Sequence, residues 1–381
     1  MDFELSSEQS ALRDEIVRFA REELNDDLIH RDADSSFSVE AWKKCAALGI
    51  QGLPIPPEYG GAGADALTIM LSMEALGYGC RDNGLLFSLG AQMWSCEMPI
   101  VRFGTEEQKG RYLPGLSDGS LIGVQCMSEP DTGSDAFALT TSAVVKGDRY
   151  VLNGAKTFIT NAPIADVFVV FASTDLANGF AGLSAFLVDR QTAGVSVGAP
   201  FHKMGLRTSP MSEVVFTDCE IGPDHLLGPE SAGAAIFNHS MDWERSCILA
   251  NTVGSMQRQL EACVAYAKER RQFGQPIGKF QAVAHRIVEM KLRLEAGRLL
   301  LYRLGWLKRE GKPAPLDSAL VKLYLGESFM QSSLDALQIH GGYGYLTESE
   351  LEREVRDAVA SRIYSGTSDI QRNLVASHLG L

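Results

Sequence analysis

Long apolar runs are the first thing this sequence lacks. No stretch approaches the roughly 18 uninterrupted apolar residues that a membrane-spanning helix needs, so no membrane partner is expected. Patterned cysteine is missing too. Cys45, Cys80, Cys96, Cys126, Cys219, Cys247 and Cys263 are odd in number and scattered, with no C-x-x-C. That excludes a disulfide framework and a thiolate zinc or iron–sulfur site, and it suits a reducing compartment. The seven His are equally dispersed, without paired spacing, so no metal is assigned. Basic charge is short: 35 Lys and Arg against 48 Asp and Glu leave a formal charge of −13. A nucleic-acid partner is disfavoured, since neutralising phosphates needs a basic surface. The opening residues, MDFELSSEQSALRDE, carry acids where a signal peptide would be basic and then apolar, so a cytoplasmic location is expected.

What is present is an ordinary globular composition, 45% hydrophobic and 22% charged over 381 residues, enough chain for two or three domains. Residues 1–117 read as helical. Ser6 with Gln9, and Thr105 with Gln108, have capping-box spacing, and helical patterns follow near 7–24, 38–48, 65–78 and 105–113. Residues 118–230 change texture to short β-rich runs separated by Gly, Asn and Asp: 121–126, 150–152, 156–160, 167–172, 184–188 and 213–216. That rhythm predicts a compact antiparallel β domain. In residues 231–381 the period is helical again. Leu249, Val253, Met256, Leu260, Cys263 and Ala267 form one apolar stripe, and Val283, Ile287, Met290, Leu294, Gly297, Leu301 and Leu304 a second. A third helix is predicted over 316–339, ending at Gly341-Gly342. Such stripes bury each other in a helical bundle. The class is therefore α+β multidomain: helical domain, β domain, C-terminal four-helix bundle. It is not a Rossmann pattern, because strands and helices do not alternate.

Four segments can carry chemistry, and each also has a plain structural explanation. Ser128-Glu-Pro-Asp-Thr-Gly-Ser134-Asp ends an apolar strand; Gly133 would let a backbone approach a ligand, or the segment is an ordinary polar turn. Phe158-Ile-Thr160-Asn161 ends another strand, with an aromatic and a hydroxyl suited to the edge of a flat heterocycle, or merely a half-buried strand end. Arg270-Arg-Gln-Phe273-Gly closes the first long helix of the bundle, where cations either complement the helix dipole or hold a pyrophosphate. Gln338-Ile-His-Gly341-Gly342 can be no more than a glycine C-cap.

Taken together, and with Tyr364-Ser-Gly-Thr-Ser-Asp-Ile-Gln371, Pro57-Glu-Tyr-Gly-Gly and Lys203-Met-Gly-Leu-Arg, these segments resemble the acyl-CoA dehydrogenase family over essentially the whole chain. The resemblance implies a homotetrameric flavoprotein with FAD between the β domain and the bundle, partly across a subunit interface. Ser128, Phe158 and Thr160 would line the flavin ring, and Ser134 would meet the ribityl or pyrophosphate region. Arg270 and Phe273 would reach the FAD of a neighbouring subunit, with Gln338, Gly341 and Gly342. Thr367 and Asp369 would complete the site.

The same resemblance exposes a gap. Most relatives carry their catalytic Glu just before the Gly-Thr of the last motif, where this chain has Ser365. A serine hydroxyl is too weak to act unaided as that base. The isovaleryl-CoA and long-chain members place the Glu instead on the first long helix of the bundle, and the matching segment here, Ser240-Met-Asp-Trp-Glu244-Arg245, holds one. Glu244 is thus the expected base, taking the α-proton while hydride passes from Cβ to flavin N5. The backbone N–H of Ser365 would be one oxyanion donor.

Glu244 with Ser365, and the segments 158–168 and 361–371, are similar to prolyl carrier-protein dehydrogenases of pyrrole biosynthesis, which implies a prolyl or similar aminoacyl thioester on a phosphopantetheine-bearing peptidyl or acyl carrier protein. A short or branched acyl-CoA dehydrogenase is the alternative, and a flavoprotein that binds acyl groups without oxidising them is a second. Electron-transfer flavoprotein or oxygen would take the electrons. Between Arg286 and Lys312 eight Lys or Arg face three Glu, which would suit an acidic carrier protein or be simply a solvated helix face.

Overall fold

The computed structural model describes residues 5–381. Seven helices come first: α1 Ser7–Glu23, α2 Leu28–Asp34, α3 Val39–Ala47, α4 Ala66–Gly79, α5 Asn83–Gln92, α6 Met98–Phe103 and α7 Glu106–Ser117. Both expected capping boxes form, Ser6 with Gln9 and Thr105 with Gln108. A π-turn, Met93–Glu97, joins α5 to α6.

Eight strands follow: β1 Gly123–Cys126, β2 Ser142–Lys146, β3 Arg149–Thr160, β4 Val167–Ser173, β5 Leu183–Asp189, β6 Val195–Val197, β7 Met211–Ile221 and β8 Leu226–Leu227. Their order is β6-β7-β3-β2-β4-β5-β8, with β1 beside β4. Most pairs are antiparallel, but β1 runs parallel to β4, and β2 meets β4 in parallel at Ser142 and Ser173. The separate runs expected at 150–152 and 156–160 are one strand, β3. Register shifts against β7 at Leu152/Gly154 and Lys156/Ile159 break its alternation, and a bulge does to a period-2 pattern what a turn would do.

The last part comprises α8 Gly233–Cys247, α9 Ala250–Glu269, a hairpin of β9 Arg271–Gln272 and β10 Gln275–Pro276, α10 Gln281–Arg309, α11 Pro315–His340, α12 Leu351–Ala360 and α13 Ser368–His378. One expectation needs correction. Glu244 and Arg270 do not share a long helix; the chain breaks at Ile248–Leu249, where Leu249 takes φ −105° and ψ 7° and its carbonyl accepts from the Thr252 hydroxyl at 2.6 Å. Buried apolar residues run straight through the break, so hydropathy alone could not reveal it.

Burial does not follow chain order. Ile69, Met73, Leu76, Leu86 and Trp94 from the first helices share one core with Val253, Met256, Leu294, Leu301 and Leu325 from the last. The sheet has its own core around Phe168, Val170, Phe186 and Phe216, and its other face packs on Tyr112, Leu113, Leu116 and Ile236. The seven cysteines are buried and free. No helix among the described residues is long and apolar enough to cross a membrane.

The shared helical core is drawn tight where α4 crosses α9. A methyl group on Gly77 would lie 1.9 Å from the Asn251 carbonyl oxygen, and one on Gly254 would lie 2.0 Å from that of Glu74. Gly254→Ala is therefore expected to destabilise the fold by about 3 kcal/mol, the upper range for overpacking. Chemical denaturation checks this; a variant as stable as wild type would show that the helices can part freely.

Candidate active site

The candidate pair is brought together from two segments 121 residues apart. The Ser365 hydroxyl donates to Glu244 Oε1 at 2.6 Å. Glu244 stands on α8, in its last turn. Ser365 stands in the turn between α12 and α13, held from several sides. Ser368 N–H donates to the Arg362 carbonyl at 2.9 Å, and Thr367 caps α13 by accepting from Ile370 N–H at 3.2 Å. The buried Gln371 side chain donates to the carbonyls of Ser365 (3.2 Å) and Gly366 (3.0 Å). Ser365 and Gly366 adopt φ of +57° and +81°, a costly conformation for a serine that persists only where surroundings over-determine it. Glycine is required at 366, since a Cβ there would sit 2.6 Å from Gln371 Nε2.

Burial pushes the Glu244 carboxyl above the ordinary range, while the Ser365 hydroxyl, Arg245 and Lys322 work against that rise. Such a balance makes a carboxylate a stronger base while keeping beside it groups that favour its charged form.

A second cluster lies at the edge of the sheet. Lys156 and Glu129, both buried, form an ion pair at 2.8 Å; Lys156 also donates to the Met127 carbonyl at 3.1 Å. Glu129 accepts in addition from Thr140 N–H (2.7 Å), the Thr140 hydroxyl (2.7 Å) and Thr141 N–H (2.9 Å). Burial alone would raise the Glu129 carboxyl, but the Lys156 charge and these bonds overcome it and hold it at about 2. The pair fixes the Ser128 segment against β3, where Thr157 N–H donates to the Ser128 carbonyl at 2.9 Å. Beyond it Phe158 takes φ +58° and stays 65% exposed, its ring 6.0 Å from that of Phe201. Thr160 ends β3. Next to it the buried Asn161 donates from Nδ2 to the Ser88 carbonyl at 3.0 Å, tying the strand end to α5. Ser134 is exposed on the loop after Gly133, and that loop is open: a methyl group on Gly133 would meet no atom within 4 Å.

The third cluster is a cavity of about 600 Å³ lined by Arg270, Gly341 and Gly342 among others, with the Tyr266 and His340 rings stacked at 4.2 Å. The structure thus unites Glu244 with Ser365, Ser128 with Phe158 and Thr160, and Arg270 with both glycines. Phe273 (93% exposed) and Gln338 point to solvent. Thr367 serves its helix, and the exposed Asp369 pairs with Arg372 at 3.2 Å.

The basic stretch before Lys312 is not a free surface. Arg286 and Arg293 pair with Asp335, Lys291 with Glu295, Arg298 with Glu74, Arg303 with Asp317, Lys308 with Asp242 and Arg309 with Glu310. Lys312 lies over the Trp306 ring at 4.1 Å. Residues that sequence reasoning passed over are Lys156 and Glu129 as a pair, Asn161, Gln371 and Lys322. The last had a signal, a lone charge inside the apolar run Ala319-Leu-Val-Lys-Leu-Tyr-Leu325.

Residues 6–120, 125–219 and 231–380 match, in turn, the N-terminal, middle and C-terminal domains described for acyl-CoA dehydrogenase. The chain belongs to the acyl-CoA dehydrogenase family, and its class is that of the flavin-dependent acyl-thioester dehydrogenases. It is similar to the L-prolyl-[peptidyl-carrier protein] dehydrogenase of Serratia sp., 45% identical over 381 residues, covering 100% of this chain and 99% of the relative. The solved prolyl acyl carrier protein oxidase AnaB is 48% identical with a TM-score of 0.98, covering 99% of this chain and 100% of that one. PigA, solved with FAD and proline, is 45% identical with a TM-score of 0.98 and covers both chains fully.

The buried ion pair generates a prediction. The Glu129 carboxyl sits at about 2 in the fold against an ordinary 4.5, so its stabilisation is complete above pH 4.5 and disappears as pH falls through about 2. Lys156→Met leaves that charge unpaired and is expected to cost about 3–5 kcal/mol at pH 7; with the depressing charge gone, burial raises the Glu129 carboxyl, so the cost should shrink as protonation relieves the unpaired charge, read by denaturation at pH 7 and pH 3.

Proposed function

We propose that this chain is an FAD-dependent dehydrogenase of an aminoacyl thioester, prolyl or a close analogue, carried on the phosphopantetheine arm of a peptidyl carrier protein, with Glu244 as its base. The observation that carries the proposal is the 2.6 Å contact between Ser365 and Glu244. It supports a carboxylate from α8 standing in for the one missing from the turn. The names of the Serratia relative and of AnaB support the carrier-bound prolyl group.

The residues present fit FAD. Phe158 is an exposed ring on a rigidly held strand end; the segment at Gly133 is open; and Arg270 faces a cavity beside Gly341 and Gly342, where a Cβ would meet nothing within 4 Å. FAD, when bound, supplies the two-electron acceptor for the hydride that leaves Cβ. The protein does the rest. Glu244 takes the proton from Cα, its basicity raised by burial. The Ser365 hydroxyl orients the carboxylate. The Ser365 backbone N–H serves the thioester oxygen as charge develops there, a kind of contact worth about 3–4 kcal/mol. Phe158 and Thr160 wall and hold the ring edge, and Ser128 and Ser134 flank it.

Arg270, Phe273, Gln338, Gly341 and Gly342 form a surface apart from that pair, consistent with serving a neighbouring subunit's FAD in a homotetramer. The exposed Val288, Leu292, Leu299 and Trp306 along α10 support assembly. Light scattering should give a mass near four times 41.4 kDa, reduced in a Leu292→Glu, Leu299→Glu double variant; a monomer would remove the shared site. Electrons then leave to electron-transfer flavoprotein or to oxygen.

The function is tested by watching flavin absorbance with prolyl-carrier protein, butyryl-CoA and isovaleryl-CoA. Bleaching by the carrier-bound prolyl group is expected, with a product lighter by two hydrogens or more. Glu244→Gln should keep its FAD and lose at least about a hundredfold in rate. Bleaching by the CoA esters alone would end the carrier-protein reading.

A further inference from the structure

Lys322 has no part in the chemistry so far, yet it is 1% exposed and lies behind the reactive turn. Its Nζ donates to the Ser361 carbonyl at 3.0 Å and stands 5.6 Å from the centre of the Tyr364 ring. Ser361 opens the turn, and its own hydroxyl donates to the Gly326 and Ala358 carbonyls at 3.1 and 2.6 Å. Tyr364 precedes Ser365 and packs on Phe87 at 4.4 Å. One ammonium group therefore braces the start of a turn whose far end carries the hydroxyl bonded to Glu244. A buried lysine is costly, and a neutral donor could satisfy the Ser361 carbonyl, so that one bond gives no reason for the charge.

We propose that Lys322 is a positioning residue for the reaction: its buried ammonium holds the Ser361–Ser365 turn in place and keeps the facing Glu244 ionised and ready to accept a proton. This rests on the reading of Glu244 as base. The charged and titratable groups around the two come from every element nearby: Arg245 beside Glu244 on α8, Glu327 one turn beyond Lys322 on α11, Tyr364 in the turn, and Asp357 on α12 behind the tyrosine. Arg245 also favours ionised Glu244, but its Nε is buried without a hydrogen-bond partner. Burial drives Lys322 down to about 8, with Glu244 opposing that fall. In its charged form the lysine favours the charged form of Glu244. Removing the charge withdraws a stabilising partner from the carboxylate, so its titration must move to higher pH.

The test needs no substrate. In the FAD-loaded protein, the infrared carboxylic C=O band that vanishes in Glu244→Gln reports protonated Glu244, and its loss is followed against pH in wild type, Lys322→Gln and Lys322→Arg. Lys322→Gln keeps a donor for Ser361 without charge. Its band should persist to a pH about one unit higher than wild type, a size usual for a nearby charge, while Lys322→Arg should titrate as wild type. Coincident titrations of all three would overturn the proposal, as would a Lys322→Gln protein that cannot fold or hold FAD, because the role would then be structural. Full thioester oxidation by Glu244→Gln would instead remove the base assignment, and this inference with it.

Discussion

The chemistry we propose for this protein depends on one hydrogen bond, from the Ser365 hydroxyl to the Glu244 carboxylate at 2.6 Å. A serine occupies the place where a base is expected, and the carboxylate proposed in its stead comes from a different helix. Neither residue suffices. The hydroxyl cannot take the proton, and the carboxylate needs a partner to hold it toward the turn. What the turn keeps is its backbone, with Ser365 at φ +57° and Gln371 gripping two successive carbonyls. Changing the side chain at 365 leaves that scaffold intact, so in the proposed mechanism the proton acceptor can stand on another element while the Ser365 backbone N–H keeps its place.

Around this contact, polar groups as well as the shared apolar core join the three parts of the chain. Asp82 on α5 accepts from Thr208 and Arg31. Asp357 on α12 accepts from Leu206 N–H at 2.6 Å and from Asn83 at 3.1 Å, and burial raises it to about 6. Asn161 reaches Ser88, and Lys156 binds Glu129. Buried pairs of this kind stabilise little overall, because desolvation offsets the attraction. Their value is geometric. They fix where the ends of β1 and β3 stand relative to α5, α8 and the turn after α12, so that a flat ring and a carboxylate can share one substrate.

Much of this was legible in the residues. The capping boxes at Ser6 and Thr105 marked true helix starts, and the stripe from Val283 to Leu304 lies on α10 as its spacing requires. The motif resemblance located Glu244 against Ser365. The failures have identifiable causes. A bulged β3 looked like two strands because register shifts reset the alternation, and α8 and α9 looked like one helix because buried residues continue across Leu249. The surplus of cations before Lys312 left a docking face and a solvated helix face both open, since their acidic partners Glu74, Asp242, Asp317 and Asp335 are mostly distant in sequence.

By itself, then, the sequence determined the order helical–β–helical and the family, because these rest on local period and local motif. Tertiary structure alone decided that the first and last helices share one core, that Lys156 faces Glu129, and that Lys322 stands behind the turn. Those facts join residues tens to hundreds of positions apart, and no local pattern records which buried charge meets which. Only the folded chain, by making every unpaired charge expensive, brings each to its partner.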